Sequence, residues 1–422
     1  MSEHIDLLII GAGPAGMAAA LAAGASGVKI KVLDDNPLPG GQIWRDGPQA
    51  HLPPSARRYR EALASAANIT VHNGTRVVAR VGPKCLLLED AERGWQLSYD
   101  KLILCTGARE LLLPFPGWTL PGVTGAGGLQ ALIKGGMPVQ GESIVIAGSG
   151  PLLLASAASA KKAGANVLHI AEQASLGAVM AFAAQLPKWP GKVLQAWSLL
   201  NARYRCSSHV VEALGDDRLR AVRLLQSGKT VEVACERLAC GFGLIPNIQL
   251  AQALGCLIVD QAIAVDVWQT TSLDDHYAAG ECTGFGGSEL ALVEGAIAGH
   301  AAVGNQDKAR GLWRQRRHWQ GFADVLGQAF ALDSRLKTLP TPQTLVCRCE
   351  DVSYGTLQAC SGWTEAKLQS RCGMGACQGR VCGAAAHYLF DWTPPAPRPP
   401  LSPARIGTLA YMADEQIVEH PL

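Results

Sequence analysis

The sequence predicts an α/β fold in which two dinucleotide-binding units precede a small helical domain rich in cysteine. Two short apolar stretches each run into a glycine-rich turn, one beginning at Gly11 and the other at Gly148. Six of the chain's 13 cysteines lie between Cys347 and Cys382. The 422 residues leave room for two or three domains with a sizeable core.

Composition and charge exclude several classes of protein. The formal net charge of +2 argues against a nucleic-acid partner. Thirteen cysteines without a recognisable secretory signal indicate a reducing compartment. The uncharged stretch 7–28 is interrupted by glycines and a proline, so it predicts a strand, a turn and a helix rather than a membrane span. We therefore expect a cytoplasmic protein, either free or held peripherally on the inner membrane face.

The first unit has the order strand, glycine turn, helix and strand. Ile5 to Ile10 is a continuous apolar run, as expected for a strand buried on both faces. The turn Gly11 to Gly16 leads into an alanine-rich helix, and the next strand ends at Asp34 and Asp35. An acidic residue about 20 positions after such a turn is typical of a dinucleotide site. The first unit is therefore predicted to bind a dinucleotide.

Each part of this motif has a physical role. The first two glycines let the backbone approach a pyrophosphate, and the third, Gly16, lets the helix pack on the strand. The helix N-terminus favours phosphate charge. We expect Asp34 to accept hydrogen bonds from ribose hydroxyls and to disfavour a 2′-phosphate. A later helix is predicted from about Ser288 to Ala302, with Ser288 as its N-cap.

The second unit departs from the motif. Its turn contains Gly148 and Gly150, but Leu153 stands where the third glycine is expected. The strand that follows ends at Glu172. Because a large side chain loosens the contact of helix and strand, binding of NAD(P) or another nucleotide at this turn stays open.

Prolines and changes in composition suggest the division into domains. The predicted parts are the first nucleotide-binding domain in two segments, 1–115 and 246–335, the second nucleotide-binding-like domain, 116–245, a cysteine-rich domain, 340–392, and a proline-rich extended tail, 393–422.

The cysteine cluster predicts a metal centre, because soft thiolates select zinc or iron–sulfur clusters. Zinc sites usually contain Cys-x2-Cys pairs, which are absent from this cluster. The spacing Cys-x-Cys followed by Cys-x4-Cys resembles the [2Fe–2S] domain of bacterioferritin-associated ferredoxin. Cys347 and Cys349 form the first pair, and the second is either Cys377 with Cys382 or Cys372 with Cys377. Alignment with the ferredoxin-type domain puts Cys372 at a non-ligand position and so favours Cys377 with Cys382.

The motifs together resemble the alpha subunit of heteromeric amine dehydrogenases, a group that includes proteins of opine oxidase, D-hydroxyproline dehydrogenase and hydrogen cyanide synthase. The similarity covers nearly the whole chain. It rests on the segments Gly11–Gly16, Leu33-Asp34, Gly40–Ile43, Gly148–Leu154 and Gly373–Arg380. The resemblance implies a disulfide-reductase-like FAD fold with an appended [2Fe–2S] domain. The residues implied for FAD are Gly11, Gly13, Pro14, Ala15, Gly16, Asp34, Asp35, Gly41, Gln42, Thr106, Gly107, Gly280 and Glu281.

The resemblance also implies partners. A second flavoprotein (beta) subunit would oxidise a secondary amine or imino acid to an imine by hydride transfer, and a small third subunit is compatible with the group. This chain would pass the electrons to an acceptor other than O2, for which a membrane quinone chain is one candidate. We assign no catalytic residue to this chain, since no Cys-x2-Cys, Ser–His or Cys–His pair accompanies the FAD motifs.

Two other functions remain open on the sequence. The first is a stand-alone NAD(P)H-dependent reductase of the ferredoxin type, which would use the Gly148 turn. The second is a non-enzymatic module that binds and delivers iron through its cysteines.

Overall fold

The computed structural model describes residues 3–48, 50 and 52–412, so the end of the predicted tail, 413–422, lies outside the described residues. Their strands are β1 (Glu3–Ile10), β2 (Ile30–Asp34), β3 (Ile69–Asn73), β4 (Arg76–Gly82), β5 (Cys85–Glu89), β6 (Gly94–Leu104), β7 (Ala108–Glu110), β8 (Val123–Gly125), β9 (Ser143–Gly148), β10 (Asn166–Glu172), β11 (Tyr204–Arg205), β12 (Ser208–Leu214), β13 (Ala221–Gln226), β14 (Lys229–Ala234), β15 (Arg237–Gly241), β16 (Leu244–Pro246), β17 (Ile258–Val259), β18 (Ala262–Ile263), β19 (His276–Ala278), β20 (Leu345–Cys347) and β21 (Val352–Ser353).

The helices alternate with these strands, which confirms the predicted α/β class. They are α1 (Pro14–Gly24), α2 (Pro54–Ser65), α3 (Ala126–Lys134), α4 (Leu152–Lys162), α5 (Leu176–Gln185), α6 (Pro190–Leu199), α7 (Gln249–Leu254), α8 (Gly287–Ala302), α9 (Gln306–Gly311), α10 (Trp313–Ala329), α11 (Tyr354–Gln358), α12 (Trp363–Ser370), α13 (Cys382–Phe390) and α14 (Ile406–Ala410). Within the described part of the chain, no helix is both long and apolar enough to cross a membrane.

The first domain is built on a seven-stranded sheet in the order β3-β2-β1-β6-β5-β4, with β19 also paired to β6. The strands β3, β2, β1, β6 and β19 run parallel, and β5 and β4 are antiparallel additions. Ile9 lies opposite Val32 on one side and Ile103 on the other. All three side chains are fully buried, which accounts for the unbroken apolar runs of these strands.

Helix α8 returns the chain to this domain and packs closely against α1. A Cβ added at Gly295 would overlap the carbonyl oxygen of Ala15, and one added at Gly299 would overlap that of Ala19. Glycine at both positions therefore allows the two helix backbones to touch. The N-cap is Gly286, not Ser288 as expected from the sequence, because the Ser288 hydroxyl donates to Glu289 instead of capping the helix.

The second domain contains a five-stranded parallel sheet in the order β11-β10-β9-β15-β8. A three-stranded antiparallel sheet, β12-β13-β14, shares a core with it through Val145 and Val222. The chain enters this domain after β7 and leaves it before β16. These two strands pair antiparallel, with Arg109 opposite Ile245, so one short ribbon carries both crossings.

The C-terminal part contains the short β20–β21 pair and three small helices, α11 to α13. They enclose a core of their own around Trp363 and Leu357. The tail then returns to the first domain. The Leu401 amide donates to the carbonyl oxygen of Val78 at 2.7 Å, and the Arg405 amide donates to the carboxylate of Glu89 at 2.8 Å. The cysteine-rich segment is thereby held between two attached ends.

The crossing of α1 and α8 gives a first prediction. Gly295→Ala should lower the free energy of unfolding by about 1 to 3 kcal/mol, because the added methyl group meets backbone that cannot rotate away. Thermal denaturation of the two proteins measures the loss. Gly311→Ala is the matched control, since nothing lies within 4 Å of a Cβ added there. Equal melting temperatures for Gly295→Ala and the wild type would contradict this account of the helix crossing.

Candidate functional site

The first glycine turn is fixed by backbone contacts. Gly11 has φ +107°, and an added Cβ would overlap the carbonyl oxygen of Cys105 at the end of β6. A Cβ at Gly16 would overlap the carbonyl oxygen of Gly11. The turn therefore lies directly against the sheet, with the N-terminus of α1 facing the space above the strand ends. This is the arrangement in which a helix terminus favours a phosphate.

Asp34 stabilises the same turn. Its Oδ2 accepts a hydrogen bond from the Ala12 amide at 2.6 Å, and its Oδ1 accepts from the amide and the side chain of Asn36 at 2.8 and 2.7 Å. The carboxylate is 6% exposed and lines the cavity described below. Asp34 therefore has a structural partner for each oxygen, and its contact with a ribose stays a prediction.

A cavity of about 600 Å³ lies over the turn. Its size is within the range of about 300 to 1,000 Å³ that is usual for small-molecule and cofactor sites. Eleven of the residues predicted from the sequence line it: Gly11, Gly13, Pro14, Ala15, Asp34, Asp35, Gly41, Gln42, Thr106, Gly107 and Glu281. An exposed N-terminal turn of α1, glycines without side chains and a cavity of this volume fit a dinucleotide.

Two predicted residues support the cavity without lining it. Gly16 packs α1 on the sheet. Gly280 has φ +79°, and its amide donates to the buried carboxylate of Glu294 at 3.2 Å. Glu294 also pairs with Arg316 at 3.1 Å. Burial raises the pKa of Glu294, and the charge of Arg316 acts in the opposite direction. Burial also raises the pKa of the neighbouring Glu281.

The sequence analysis did not find several residues of the cavity wall. Asn247 donates from its side chain to the Thr106 carbonyl at 2.9 Å, while the Thr106 hydroxyl donates to the Asn247 carbonyl at 2.6 Å. Arg380 also lines the cavity, although it belongs to the cysteine-rich segment. The signal for Asn247 was its place at the return crossing, directly after Pro246. Nothing local to Arg380 indicates which cavity it faces.

The second glycine turn is covered by the chain itself. The Ser149 hydroxyl donates to the carbonyl oxygen of Phe330 at 2.9 Å, and a Cβ added at Gly150 would lie 3.7 Å from the Phe330 ring. Gln173 donates to the carbonyl oxygen of Ala331 at 2.8 Å. The segment 330–333 therefore occupies the space above the turn and beside the end of β10.

The acidic residue of this second unit is also enclosed. Glu172 is fully buried and accepts hydrogen bonds from the Gly150 amide at 2.8 Å and from the Tyr204 hydroxyl at 3.0 Å. Burial raises the pKa of Glu172. In the first unit, by contrast, Asp34 lines an open cavity. The two turns have similar sequences but different surroundings.

The structure brings five cysteines together in the C-terminal segment. The sulfur atoms of Cys347, Cys372 and Cys382 lie within 4.8 Å of one another. The Cys377 thiol also interacts with those of Cys382 and Cys349. Cys347, Cys372 and Cys382 are buried, whereas Cys349 is exposed. Five sulfurs converging at one place fit a thiolate-bound metal centre such as [2Fe–2S], for which four suffice.

The local hydrogen bonds favour thiolate at two of these positions. Hydrogen bonds from Cys372, Cys382 and the Gly373 amide hold the pKa of Cys347 far below its usual range. A hydrogen bond from Cys382 and amides of the following turn lower the pKa of Cys377 to about 5. The pKa values of the donors Cys372 and Cys382 are raised correspondingly. Thiolate is the form that binds iron or zinc.

The choice between Cys372 and Cys382 depends on what each sulfur touches. Cys382 contacts Cys347 on one side and Cys377 on the other, so it joins the two pairs. Among the thiols that lower or raise its pKa by hydrogen bonding, Cys372 has only Cys347 and Cys382. This arrangement agrees with Cys382 as the fourth ligand and Cys372 as a neighbour. The ligand set itself stays a prediction.

The cavity and the cysteine cluster share a wall. The loop between Cys377 and Cys382 contains Arg380, and Arg380 lines the cavity. Its guanidinium donates to the carbonyl oxygen of Leu401 in the tail at 2.7 Å. Arg380 is thus two to three residues from two predicted ligands of the cluster. A group bound in the cavity and a metal centre at the cysteines would be close neighbours.

Comparison with known proteins adds to this geometry. Residues 5–299 match the family model of pyridine nucleotide-disulphide oxidoreductases. The chain is 32% identical to the hydrogen cyanide synthase protein HcnB of Pseudomonas protegens, with 99% of each protein covered. It is 30% identical to an opine oxidase protein of Rhizobium meliloti, the one designated by the letter A among the subunits of that enzyme, over 97% of this chain and 99% of the relative.

Solved structures support the fold. An L-proline dehydrogenase from P. horikoshii is similar with a TM-score of 0.68 at 17% identity, over 97% of this chain and 80% of that one. The thioredoxin reductase of T. acidophilum is similar with a TM-score of 0.55 at 20% identity, over 72% of this chain and 100% of that one. These likenesses confirm the predicted disulfide-reductase-like fold.

The position of the sulfurs gives a second prediction. Cys382→Ala should abolish the cluster, because its sulfur contacts both Cys347 and Cys377 and so connects the two predicted pairs. Cys372→Ala should retain it. Iron and acid-labile sulfide per chain, together with visible absorbance, measure the outcome. Cys360→Ala is the control, since its thiol bonds to the Thr356 carbonyl away from the other sulfurs. Loss of iron in Cys372→Ala with retention in Cys382→Ala would reverse the assignment.

Proposed function

The chain belongs to the pyridine nucleotide-disulphide oxidoreductase family, and we propose that it is the FAD- and [2Fe–2S]-containing electron-transfer subunit of a heteromeric dehydrogenase. The enzyme would oxidise a secondary amine or imino acid, of the D-hydroxyproline, opine or glycine type, to an imine. Electrons would leave to an acceptor other than O2. The names of the relatives, which include opine oxidase, sarcosine oxidase and hydrogen cyanide synthase, support this class of reaction.

One observation carries the proposal, namely the wall that the cavity shares with the cysteine cluster. Arg380 lines the cavity from a loop bounded by Cys377 and Cys382. FAD exchanges electron pairs as well as single electrons, and a [2Fe–2S] cluster accepts single electrons. Such a pair of cofactors is useful only when the two are near one another. This chain has the cradle for each on either side of one short loop.

The residues of the chain have binding and orienting roles in this proposal. Gly11 and Gly13 allow the pyrophosphate to approach the N-terminus of α1, and Asp34 fixes the turn through the Ala12 amide. Asn247 and Thr106 hold each other at the opposite wall. The cluster ligands would be Cys347, Cys349, Cys377 and Cys382. These roles require no catalytic side chain, which agrees with substrate oxidation in another subunit.

A second subunit is supported by an apolar surface on α5 and α6. Six large side chains there are exposed, most of them by more than half: Leu176, Met180, Val193, Leu194, Trp197 and Leu200. The segment 175–203 contains no acidic residue. A specific interface buries roughly 800 Å² on each partner, and a patch of this size approaches that area. Lys192 of α6 pairs with Glu289 of α8 at 2.7 Å, so the patch adjoins the helix that borders the cavity.

The rival function as an NAD(P)H-dependent reductase is opposed by the second glycine turn. Segment 330–333 fills the space above Gly150 and bonds to Ser149 and Gln173. A nicotinamide dinucleotide would have to displace this segment before its pyrophosphate could reach the turn. The iron-delivery rival leaves the glycine cradle over Asp34 without a purpose. The thiol chemistry also suits the cytoplasmic location that we propose.

The proposed function predicts how the purified chain is reduced. The chain alone should contain flavin, iron and acid-labile sulfide, and its flavin absorbance should not bleach rapidly with NADH or NADPH. An imino acid should bleach it only when the partner subunit is present. Anaerobic spectroscopy with each donor measures this. Rapid bleaching by NADPH without a partner would favour the reductase, and iron without flavin would favour the iron-delivery module.

The apolar patch predicts the effect of a surface substitution. Trp197→Ser should weaken association with the partner subunit on the order of tenfold, because exposed tryptophans often dominate interfaces. Flavin and iron content of the isolated chain should not change. Co-elution on gel filtration measures association, and Ile406→Ser is the control because its side chain is 87% exposed on α14. Unchanged co-elution, with loss of binding to anionic vesicles, would make the patch a membrane surface instead.

A further inference from the structure

Arg109 connects the two halves of the site. It lies on β7, one strand of the ribbon that joins the two domains, and its side chain is largely enclosed. Its Nε donates to the carbonyl oxygen of Arg380 at 3.0 Å. Its Nη1 donates to the Asn247 side chain at 3.0 Å and to the Pro246 carbonyl at 3.3 Å. One guanidinium therefore bonds both to the cysteine loop and to the cavity wall.

The contacts on each side lead directly to the two predicted cofactors. Arg380 lies between Cys377 and Cys382 and lines the cavity. Asn247 lines the cavity and is bonded in both directions to Thr106. Through these contacts Arg109 determines where the cysteine loop sits relative to the cavity. The remaining links of the segment to the rest of the chain, such as Trp118 to the Leu345 carbonyl at 2.6 Å, lie on the other side of the cluster.

The charge of Arg109 has no acidic counterpart. All its acceptors are neutral oxygens, and no carboxylate lies within ion-pair distance of it in the part of the chain that the structure describes. Arg380, which is also cationic, donates to the Leu401 carbonyl and likewise has no carboxylate in that part. Burial and the charge of Arg380 lower the pKa of Arg109 to about 10, and the charge of Cys377 opposes this shift. The nearest negative charge available to the two arginines is that of the cysteine thiolates.

We propose that Arg109 is a positioning residue that holds the cysteine loop against the cavity and whose positive charge raises the potential at which the cluster accepts an electron. The inference rests on the proposed function, because it assumes a cluster at the cysteines. A nearby cation stabilises the reduced, more negative form of a cluster more than the oxidised form. Arg109 would thereby favour electron flow out of the cavity and into the cysteine site.

Two substitutions separate the charge from the contact. Arg109→Gln removes the charge, and Arg109→Lys keeps the charge but cannot reproduce the fork of hydrogen bonds. The full chain is titrated with a chemical reductant and mediators, and the reduced cluster is counted by EPR. At the wild-type midpoint, the ratio of reduced to oxidised cluster should fall roughly tenfold in Arg109→Gln. It should stay within about twofold of wild type in Arg109→Lys.

A second readout reports on the position of the loop. The cluster absorbance should decay faster in the presence of an iron chelator in both variants, because the Arg380 carbonyl loses its donor. Arg335→Gln is the control, since Arg335 is exposed and its charge is already paired with Asp333 at 2.6 Å. This control should match the wild type in both measurements. If Arg109→Gln does not fold, the faster decay expected of Arg109→Lys still tests the contact.

The outcomes distinguish this inference from the proposed function. A wild-type chain with a full cluster, and an Arg109→Gln variant with the wild-type potential and decay rate, would overturn the role of Arg109 and leave the proposed function intact. A wild-type chain prepared anaerobically without iron and sulfide would overturn both.

Discussion

The close contact of backbone with backbone at glycine is the constraint on which this structure depends. The turn at Gly11 lies against Cys105, and α8 lies against α1 through Gly295 and Gly299. The first contact leaves room above the strand ends for a ligand. The second brings a segment almost 300 residues from the N-terminus onto the same domain, so that Glu281 can line the same cavity as Asp34. The cavity exists because two distant parts of the chain can approach this closely.

The two nucleotide-binding folds use one motif for different purposes. In the first, Asp34 bonds the turn and still faces a cavity. In the second, Glu172 bonds its turn in the same way but is fully buried, and Phe330 lies over Gly150. Leu153 replaces the third glycine, and Gly241 on β15 provides the space that Leu153 needs. The second fold is thereby a scaffold that supports the ribbon β7–β16 and the cysteine-rich segment.

The proximity of the two predicted cofactor sites results from how the C-terminal segment is attached. Its loop reaches the cavity at Arg380, Arg109 bonds the loop from the ribbon, and the tail bonds Val78 through Leu401. Attachment at three places restricts the segment more than a single linker would. A rigid separation suits electron transfer between two fixed groups. It also leaves α5 and α6 free for a different partner.

The sequence by itself determined the α/β class, the glycine turns, the acidic strand ends and the cysteine spacing, because each follows from local backbone geometry or from ligand chemistry over a few residues. Most of the cavity lining was predicted in this way. Tertiary structure decided what covers each turn, which cysteines touch, and that Asn247, Arg109 and Arg380 belong to the site. Most of these features depend on contacts between residues more than 100 positions apart, and a local pattern contains no information about the side chain that will face it.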